Sequence, residues 1–270
     1  MELLLDRYLS EVRRRKPLVH HITNYVTAND CANMTLAIGG SPVMADDPAE
    51  AADMTALADA LVINMGTLNA RTVGSMILAG KRANEKGIPV VFDPVGCGGV
   101  PFRTEAAERI LDAVKVSAIR GNISEVGALC AEITHTKGVD AAARDEEENR
   151  VELARSAAQR FHCTAAVTGA TDAVSDGRRT LAIENGCAAM ARVTGCGCMC
   201  SSLTGAFCGG NPERVFEATA AAVICMGLCG ELSWKEAKEH GLGTFHMGLF
   251  DAAGNLLGRE LLEGAKYHEL

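Results

Sequence analysis

Three cysteines stand in a glycine-rich stretch, residues 191–207, that reads ARVTGCGCMCSSLTGAF. The types and spacing of Cys196, Cys198 and Cys200 raise three possibilities: a metal site, a redox pair, or an anion-binding loop that carries a thiol. A structural zinc site needs cysteines two to four residues apart with a second pair or histidines, and none of the seven histidines lies near in sequence. The Cys-x-x-Cys spacing of thioredoxin-like motifs is also absent.

The anion-binding interpretation accounts for the glycines. The stretch is expected to leave a strand, to turn through Gly195 and Gly197, and to enter a helix at about Cys198. The free N–H groups and positive dipole end of a helix N-terminus favour anions, and glycines let the backbone approach a phosphate closely. The same dipole favours a thiolate at Cys198, which would take a proton from an attacking alcohol. Because the chain has no Walker A motif, amides and an arginine such as Arg120 would hold the phosphate.

Short apolar runs bounded by turn residues predict the buried strands of a sheet. These runs are LVIN at 61–64, IPVVFD at 88–93, VSAIRG at 116–121 and TAAVTG at 164–169. Helical patterns alternate with them at 69–86, 103–115, 122–132 and 151–162. The alternation indicates an α/β fold with three layers, α/β/α, around a mostly parallel central sheet. The residues around DGRR, within 172–193, predict a hairpin at a sheet edge, and the chain after Gly195 is expected to be helical nearly to its end.

Polar residues recur where these strands end. Ligands bind beyond the carboxyl ends of the strands in such sheets. Asp93 ends one run, Thr168 follows TAAV in another, and Arg120, Asn122 and Glu125 follow VSAI in a third. One interpretation makes Asn122 and Glu125 a capping pair at the start of a helix. The other has Asp93 and Glu125 hold Mg²⁺, directly or through water, since magnesium prefers oxygen ligands and keeps several waters.

Composition limits the function classes. A formal net charge of −8 argues against a nucleic-acid partner, although a local electropositive pocket can still hold a small phosphate. The N-terminal leucines are too few for a signal core, and the uncharged stretch 218–230 is too short to span a bilayer, so no membrane association is expected. Eleven cysteines without a secretory signal suggest reduced thiols in the cytoplasm. Residues 1–270 are expected to form a single domain.

Two neighbouring histidines, His20 and His21, lie in a predicted strand. Alternation along a strand places them on opposite faces. One is therefore expected to be packed and the other exposed, and neither is assigned a catalytic role.

Nearly the whole chain resembles the hydroxyethylthiazole kinase family, which has a ribokinase-like fold. The matching segments, in the family's order, are KPLVHHITNYVTANDCANMTLAIGGSPVMADDPAEA at 16–51, LVINMGTLN, PVVFDPVGCGG, IRGNISE and TGCGCMCSSLTGAF. The resemblance implies transfer of the γ-phosphate of ATP to the hydroxyethyl oxygen of 4-methyl-5-(2-hydroxyethyl)thiazole, in thiamine biosynthesis or salvage. It also implies Mg²⁺ as cofactor and a homotrimer with its sites at subunit junctions.

The resemblance assigns residues to roles. It implies a catalytic role for Cys198, substrate contacts by Met44, Gly195 and Asn24, and ATP contacts by Arg120 and Thr168. One departure from the family motif is Cys196, which stands where the family has threonine. If a hydroxyl there bonds a phosphate, a thiol would bond it more weakly. If only the backbone N–H is used, the change is neutral, and this second interpretation is favoured.

Three other functions fit parts of the sequence. A hydroxymethylpyrimidine kinase, or a nucleotide-dependent dehydratase acting on hydrated nicotinamide cofactors, would share the fold. The segments NYVTANDCAN and SPVMADDP disfavour both. A non-catalytic redox sensor would explain the many cysteines, and it predicts reactive exposed thiols without ATP turnover.

Overall fold

A nine-stranded sheet forms the centre of the protein, whose computed structural model describes residues 3–130 and 146–270. The strands in this described part are β1 Leu18–Ile22, β2 Ser41–Met44, β3 Ala60–Asn64, β4 Val90–Asp93, β5 Ala118–Asn122, β6 Thr164–Thr168, β7 Asp172–Ser175, β8 Thr180–Ile183 and β9 Tyr267–Glu269. Their order is β2-β1-β3-β4-β5-β6-β7-β8-β9. Neighbours from β2 to β6 pair parallel, and those from β6 to β9 pair antiparallel. The mostly parallel sheet predicted from the apolar runs is confirmed.

Helices cover both faces of this sheet. In the described part they are α1 Leu5–Arg15, α2 Ala28–Ile38, α3 Ala51–Leu57, α4 Ala70–Lys86, α5 Pro101–Ala113, α6 Ile123–Cys130, α7 Glu146–Phe161, α8 Cys196–Gly210, α9 Val215–Ala237, α10 Leu242–Asn255 and α11 Gly258–Gly264. Four helices, α4 to α7, share one apolar core with the sheet, and α1, α2, α8, α9 and α10 share the other. The expected three layers are therefore present. Positions 131–132 of the predicted helix 122–132 lie outside the described residues.

Strand β3 shows why the sheet is buried on both sides. All five residues of its sequence ALVIN are buried. Alternate side chains enter opposite cores: Val62 packs with the α8 and α9 side, and Leu61 and Ile63 pack with the α4 side. Burying a side chain of this size contributes about 1.5–3 kcal/mol relative to leaving it exposed. A strand that is apolar throughout gains this free energy only when helices cover both faces.

The two edges of the sheet differ from the prediction. The hairpin of β7 and β8 is present, but β9 pairs with β8 and takes the edge position. At the other edge lies β2, whose sequence SPVM contains Pro42 and gives no strand pattern. A proline lacks the N–H that an inner strand must donate, so it is tolerated in an edge strand.

Helix α9 passes through the middle of the core that it shares with α8 and α10. By length and composition it could cross a membrane, with a mean hydropathy of 1.6, yet 83% of that apolar stretch is buried within the protein. The expectation of a buried core helix over 218–230 is confirmed.

The chain enters α8 differently from the prediction. A 3-10 helix, Ala188–Arg192, precedes it where a strand was expected. Helix α8 begins at Cys196, two residues earlier than predicted, with Gly195 as its N-cap at φ 90°. This left-handed conformation is one that glycine adopts without the steric cost of a Cβ. The sharp turn at Gly195 thus replaces the predicted strand-to-helix connection.

The expectation that one of the two neighbouring histidines is exposed is wrong, because His20 and His21 are both buried in β1. The ring of His20 bonds Thr55 Oγ1 and the Ala45 carbonyl, each at 2.8 Å. The ring of His21 bonds the carbonyl of Val19 at 3.0 Å, and burial lowers its pKa to about 4. Both histidines are held in the interior because helices cover both faces of β1.

Candidate functional site

The carboxyl ends of four parallel strands meet at one edge of the sheet, as predicted. Asn64 at the end of β3 is in register with Asp93 at the end of β4, and Asn122 of β5 with Thr168 of β6. Helix α8 starts at the same edge and brings Cys198 to it, as the hydrogen bonds of this thiol show. Residues far apart in sequence thereby form one polar cluster.

The thiol of Cys198 lies in the first turn of α8. Its Sγ accepts hydrogen bonds from Asn24 Nδ2 and Asn64 Nδ2, each at 3.3 Å. No side chain of the described residues caps this helix N-terminus, so its first N–H groups are open to a ligand. Cys198 is only partly buried, which leaves it accessible to a substrate. The arrangement can accept a proton at sulfur beside an anion held by backbone amides.

Asp93 is the most deeply buried charged residue of the cluster. Its Oδ2 accepts hydrogen bonds from Ser201 Oγ at 2.7 Å and Asn64 Nδ2 at 2.8 Å, and it lies 3.8 Å from Arg120 Nη1. Burial raises the pKa of Asp93 to about 6, while the Arg120 guanidinium opposes this shift. Its Oδ1 is buried and accepts no hydrogen bond within the described residues. A buried acceptor without a donor fits a cation or a metal-bound water.

Glu125 and Asn122 form the capping pair that is the first of the two interpretations of their sequence. Glu125 Oε2 accepts the N–H of Asn122 at 2.9 Å, and Asn122 Oδ1 accepts the N–H of Glu125 at 2.9 Å. Its Oε1 accepts the N–H of Gly96, also at 2.9 Å. Each carboxylate oxygen keeps a second lone pair for a water or a metal ion. The metal role of Glu125 stays a prediction beside this structural one.

A cavity of about 570 Å³ lies on one side of the α8 N-terminus. Arg120, Thr168, Cys196 and Gly197 are among the residues that line it. Arg120 donates from Nη2 to Thr168 Oγ1 at 2.6 Å, so the two predicted ATP contacts are hydrogen-bonded to each other. A buried guanidinium beside a row of helix amides is a strong anion-binding arrangement.

A smaller cavity of about 250 Å³ is lined by Asn64, whose side chain bonds the sulfur of Cys198. Met44, His21, Tyr25 and Asn64 are among its lining residues. Of the predicted substrate contacts, Met44 therefore faces this cavity. Asn24 donates a hydrogen bond to Asn64 at 2.9 Å and is not among the described residues that line the cavity.

Gly195, the third predicted substrate contact, is the N-cap of α8 and is not among the described residues that line either cavity. A Cβ built on it would meet Thr27 Cγ2 at 2.9 Å. Its observed role is to make the turn that presents the helix N-terminus. Contact with a substrate stays a prediction.

Three further polar residues of the site were missed from the sequence. Asn64 bonds both Cys198 and Asp93, and Ser201, one turn along α8, bonds Asp93. Asp172 lines the larger cavity and accepts the N–H of Gly169 at 2.7 Å, and burial raises its pKa to about 6. Asn64 was detectable, since it is the polar residue that ends the apolar run LVIN. Nothing local in the sequence distinguished Ser201 or Asp172.

The cysteines do not form an exposed reactive set. All eleven are free thiols, and eight of them are buried. Burial raises the pKa of Cys196 and of Cys200 to about 12 each. Thiols with such pKa values are largely protonated and react slowly. These environments argue against the redox-sensor interpretation.

Comparison with known sequences identifies close relatives over the full length of the chain. The hydroxyethylthiazole kinase family matches as a sequence profile over residues 9–258. A hydroxyethylthiazole kinase of Ruminiclostridium cellulolyticum is 49% identical over 267 residues, which cover 98% of this chain and 97% of the relative. One of Methanosphaerula palustris is 45% identical over 266 residues, which cover 98% of each chain.

Solved structures that are similar to this chain include a protein of the same family. A hydroxyethylthiazole kinase protein from Pyrococcus horikoshii OT3 is similar with a TM-score of 0.90 and 42% sequence identity, and 98% of each chain is covered. The pyridoxal kinase of Staphylococcus aureus in complex with AMP-PCP has a TM-score of 0.60 at 15% identity, with 81% of this chain and 89% of that chain covered. Because the identity is only 15%, the similarity to the pyridoxal kinase shows the fold alone. The expected ribokinase-like architecture is confirmed.

Proposed function

This chain belongs to the hydroxyethylthiazole kinase family, and from that premise we propose that it transfers the γ-phosphoryl group of ATP to the hydroxyethyl oxygen of 4-methyl-5-(2-hydroxyethyl)thiazole. The product would enter thiamine biosynthesis or salvage. The observation that carries the proposal is the position of Cys198. Gly197 beside it lines the larger cavity, and Asn64, bonded to its sulfur, lines the smaller one. A nucleotide and a small alcohol in these two cavities would meet at the thiol.

Cys198 is proposed as the general base. The hydroxyl of the alcohol gives its proton to Sγ, its oxygen forms the new bond to the γ-phosphorus, and the bond from that phosphorus to the bridging oxygen breaks as ADP leaves. The transition state of phosphoryl transfer is loose, so positioning and charge neutralisation matter more than early deprotonation. The open N–H groups at the start of α8 are placed to bind the transferring group.

On the nucleotide side, Arg120 and Thr168 are proposed to bind the phosphates of ATP. The guanidinium of Arg120 is largely buried, and burial strengthens its attraction for an anion. The hydrogen bond from Arg120 to Thr168 fixes the direction of the guanidinium at the wall of the larger cavity.

Asp93 and Glu125 are proposed to hold Mg²⁺, directly or through water. The support is the unpartnered, buried Oδ1 of Asp93 and the free lone pairs of the Glu125 carboxylate. When bound, the metal would neutralise charge on the phosphates. Ser201 and Asn64 hold the other oxygen of Asp93 and so keep Oδ1 directed away from them.

The smaller cavity is proposed as the thiazole site. Its 250 Å³ suits a five-membered ring with short substituents rather than a nucleotide. Met44 offers a soft thioether to a flat heteroaromatic ring, and Asn24 and Gly195 are proposed to contact the substrate beside it. Tyr25, Val26 and Met44 are exposed at 83%, 58% and 38% in the single chain, which supports a subunit junction at this place.

We therefore propose a homotrimer with closed cyclic symmetry, in which each junction completes a thiazole site. Light scattering at micromolar concentration should give three times the chain mass of 28.4 kDa. A monomer mass, or full activity of a monomeric variant, would defeat this assignment. The trimer is further proposed to be cytoplasmic and to consist of one kinase domain per chain, with small molecules and not nucleic acid as its partners.

The proposed activity is tested with a coupled assay of ADP release. The panel is the thiazole alcohol, hydroxymethylpyrimidine, pyridoxal and ribose, each with ATP and with or without Mg²⁺. Turnover is expected with the thiazole alcohol and only when Mg²⁺ is present. Faster turnover of hydroxymethylpyrimidine or pyridoxal would overturn the substrate assignment.

A further inference from the structure

Asn64 occupies a position that the roles assigned so far do not explain. It ends β3, it is 2% exposed, and its side chain lies between the sulfur of Cys198 and the carboxylate of Asp93. It also lines the smaller cavity. A polar side chain in this place must either be satisfied structurally or act on one of its two neighbours.

The hydrogen bonds of Asn64 use its full capacity. Nδ2 donates to Cys198 Sγ at 3.3 Å and to Asp93 Oδ2 at 2.8 Å. Oδ1 accepts from Asn24 Nδ2 and from the N–H of Gly66, each at 2.9 Å. Two donated and two accepted bonds fill the roles of a primary amide.

This network fixes which way the amide points. A flipped amide would turn its oxygen toward the Asp93 carboxylate and its NH₂ group toward the N–H of Gly66. The flip would replace two good hydrogen bonds by two repulsive contacts. The donor side of Asn64 therefore faces Cys198 in the folded protein.

A donor in this place constrains the sulfur. An amide N–H cannot accept a hydrogen bond, so neither Asn64 nor Asn24, whose Nδ2 is also 3.3 Å away, can receive the S–H of Cys198. Sulfur lone pairs point at these two amides. The direction left for exchanging a proton is away from both of them.

We propose that Asn64 is a positioning residue that holds the Cys198 sulfur as a hydrogen-bond acceptor and ties its place to that of Asp93. With the thiolate of Cys198 as base, two sulfur lone pairs accept from the two amides and the third is directed toward the hydroxyl of the bound alcohol. The alcohol O–H bond breaks and the S–H bond forms at that lone pair, while Asn64 keeps both of its protons. This inference rests on the proposed function, because it assigns a task only if Cys198 accepts a proton.

A double-mutant cycle separates this role from a structural one. Asn64→Ala and Cys198→Ala are made singly and together, and kcat is measured with saturating ATP, Mg²⁺ and thiazole alcohol. Asn64→Ala alone is expected to lower kcat by roughly 10- to 100-fold with KM for ATP within about threefold of wild type, since base catalysis contributes about 10²–10⁴-fold. In the Cys198→Ala background only the hydrogen bond to Asp93 remains to be lost, so Asn64→Ala should lower kcat by a smaller factor, similar to that of Ser201→Ala.

Ser201→Ala provides the matched control. Ser201 Oγ donates to Asp93 Oδ2 at 2.7 Å, as Asn64 does, whereas the donors to Cys198 Sγ among the described residues are Asn24 and Asn64. Ser201→Ala should lower kcat by the same factor whether Cys198 is present or replaced by alanine. Thermal unfolding of each variant checks the fold, and if Asn64→Ala does not fold, Asn64→Ser, whose hydroxyl is too short to reach both partners, takes its place in the cycle.

The outcomes are distinguishable. If Asn64→Ala, or Asn64→Ser in its place, lowers kcat by the same factor in both backgrounds, Asn64 acts through Asp93 or through the fold, and the inference is wrong. If the wild-type protein does not phosphorylate the thiazole alcohol, the proposed function fails instead.

Discussion

Gly197 separates the helix N-terminus from the guanidinium of Arg120, and replacing it by alanine tests the nucleotide site. A Cβ at this position would lie 2.5 Å from Nη1 and 3.0 Å from Nη2 of Arg120, closer than atoms pack. Arg120 would move and lose its 2.6 Å hydrogen bond to Thr168. The displaced guanidinium would also lose its proposed hydrogen bond to a phosphate of ATP, and a hydrogen bond to a charged group contributes about 1.5–3 kcal/mol. At about 1.4 kcal/mol per factor of ten, nucleotide binding should weaken roughly 10- to 100-fold.

The fold should tolerate this change. Gly197 lies inside α8, where alanine is favoured over glycine by about 0.5–1 kcal/mol. Gly74→Ala in α4 is the matched control, because a Cβ there meets no atom within 4 Å. Both variants should melt near or above the wild-type temperature. Calorimetric titration with a non-hydrolysable ATP analogue and Mg²⁺ should show weaker binding for Gly197→Ala only. Wild-type affinity in Gly197→Ala would refute the placement of the phosphates against Arg120.

Three further substitutions test separate parts of the site. Glu125→Gln keeps an acceptor for the Asn122 N–H but removes the charge and the acceptor for the Gly96 N–H. It should raise the Mg²⁺ requirement with a modest loss of melting temperature, and an unchanged requirement would leave Glu125 only its capping role. Asp172 has a pKa raised to about 6 by burial, so its contribution to stability is present below about pH 4 and lost as pH rises through 6. The free energy of unfolding of Asp172→Asn, relative to that of wild type, should therefore rise by about 2–3 kcal/mol between pH 4 and pH 7.5, as measured by urea unfolding. A fall in this difference would contradict the burial argument. Cys196→Thr, which restores the residue usual in the family, should change KM for ATP less than about threefold, because only the backbone N–H at this position is assigned to phosphate; a larger fall in KM would show that the hydroxyl matters.

The sequence predicted those parts of the fold that follow from local pattern. Strands such as LVIN at 61–64 are short and apolar on both faces, and only a covered parallel sheet accommodates them. Strand β2 is not predicted, because Pro42 is untypical of strands. Its place at the edge, where a proline is tolerated, depends on the order of the whole sheet. The stretch before Gly195 is predicted as a strand but forms a 3-10 helix over Ala188–Arg192, because its mixed sequence has no strong period.

The site was predictable where each residue follows a strand. Asp93, Arg120 and Thr168 are predicted in this way, and the structure places them in one cluster through Asn64, Ser201 and direct contact, while their roles stay predictions. The contacts that organise Cys198 were not predictable. Its amide partners Asn24 and Asn64 are 174 and 134 residues away along the chain, so only the folded sheet shows that they share one sulfur.

The central claim is that the Cys198 sulfur accepts the proton of a thiazole alcohol while that alcohol takes the γ-phosphoryl group of ATP. The most direct test follows label from ATP marked in that group into thiazole phosphate, for wild type, Cys198→Ala and Cys198→Asp. The wild type should attach the labelled phosphoryl group to the hydroxyethyl oxygen, and Cys198→Ala should do so roughly 10²–10⁴-fold more slowly. Cys198→Asp should remain active because a carboxylate is ionised at neutral pH. Wild-type rates in Cys198→Ala, or label released only as inorganic phosphate by the wild type, would contradict the claim.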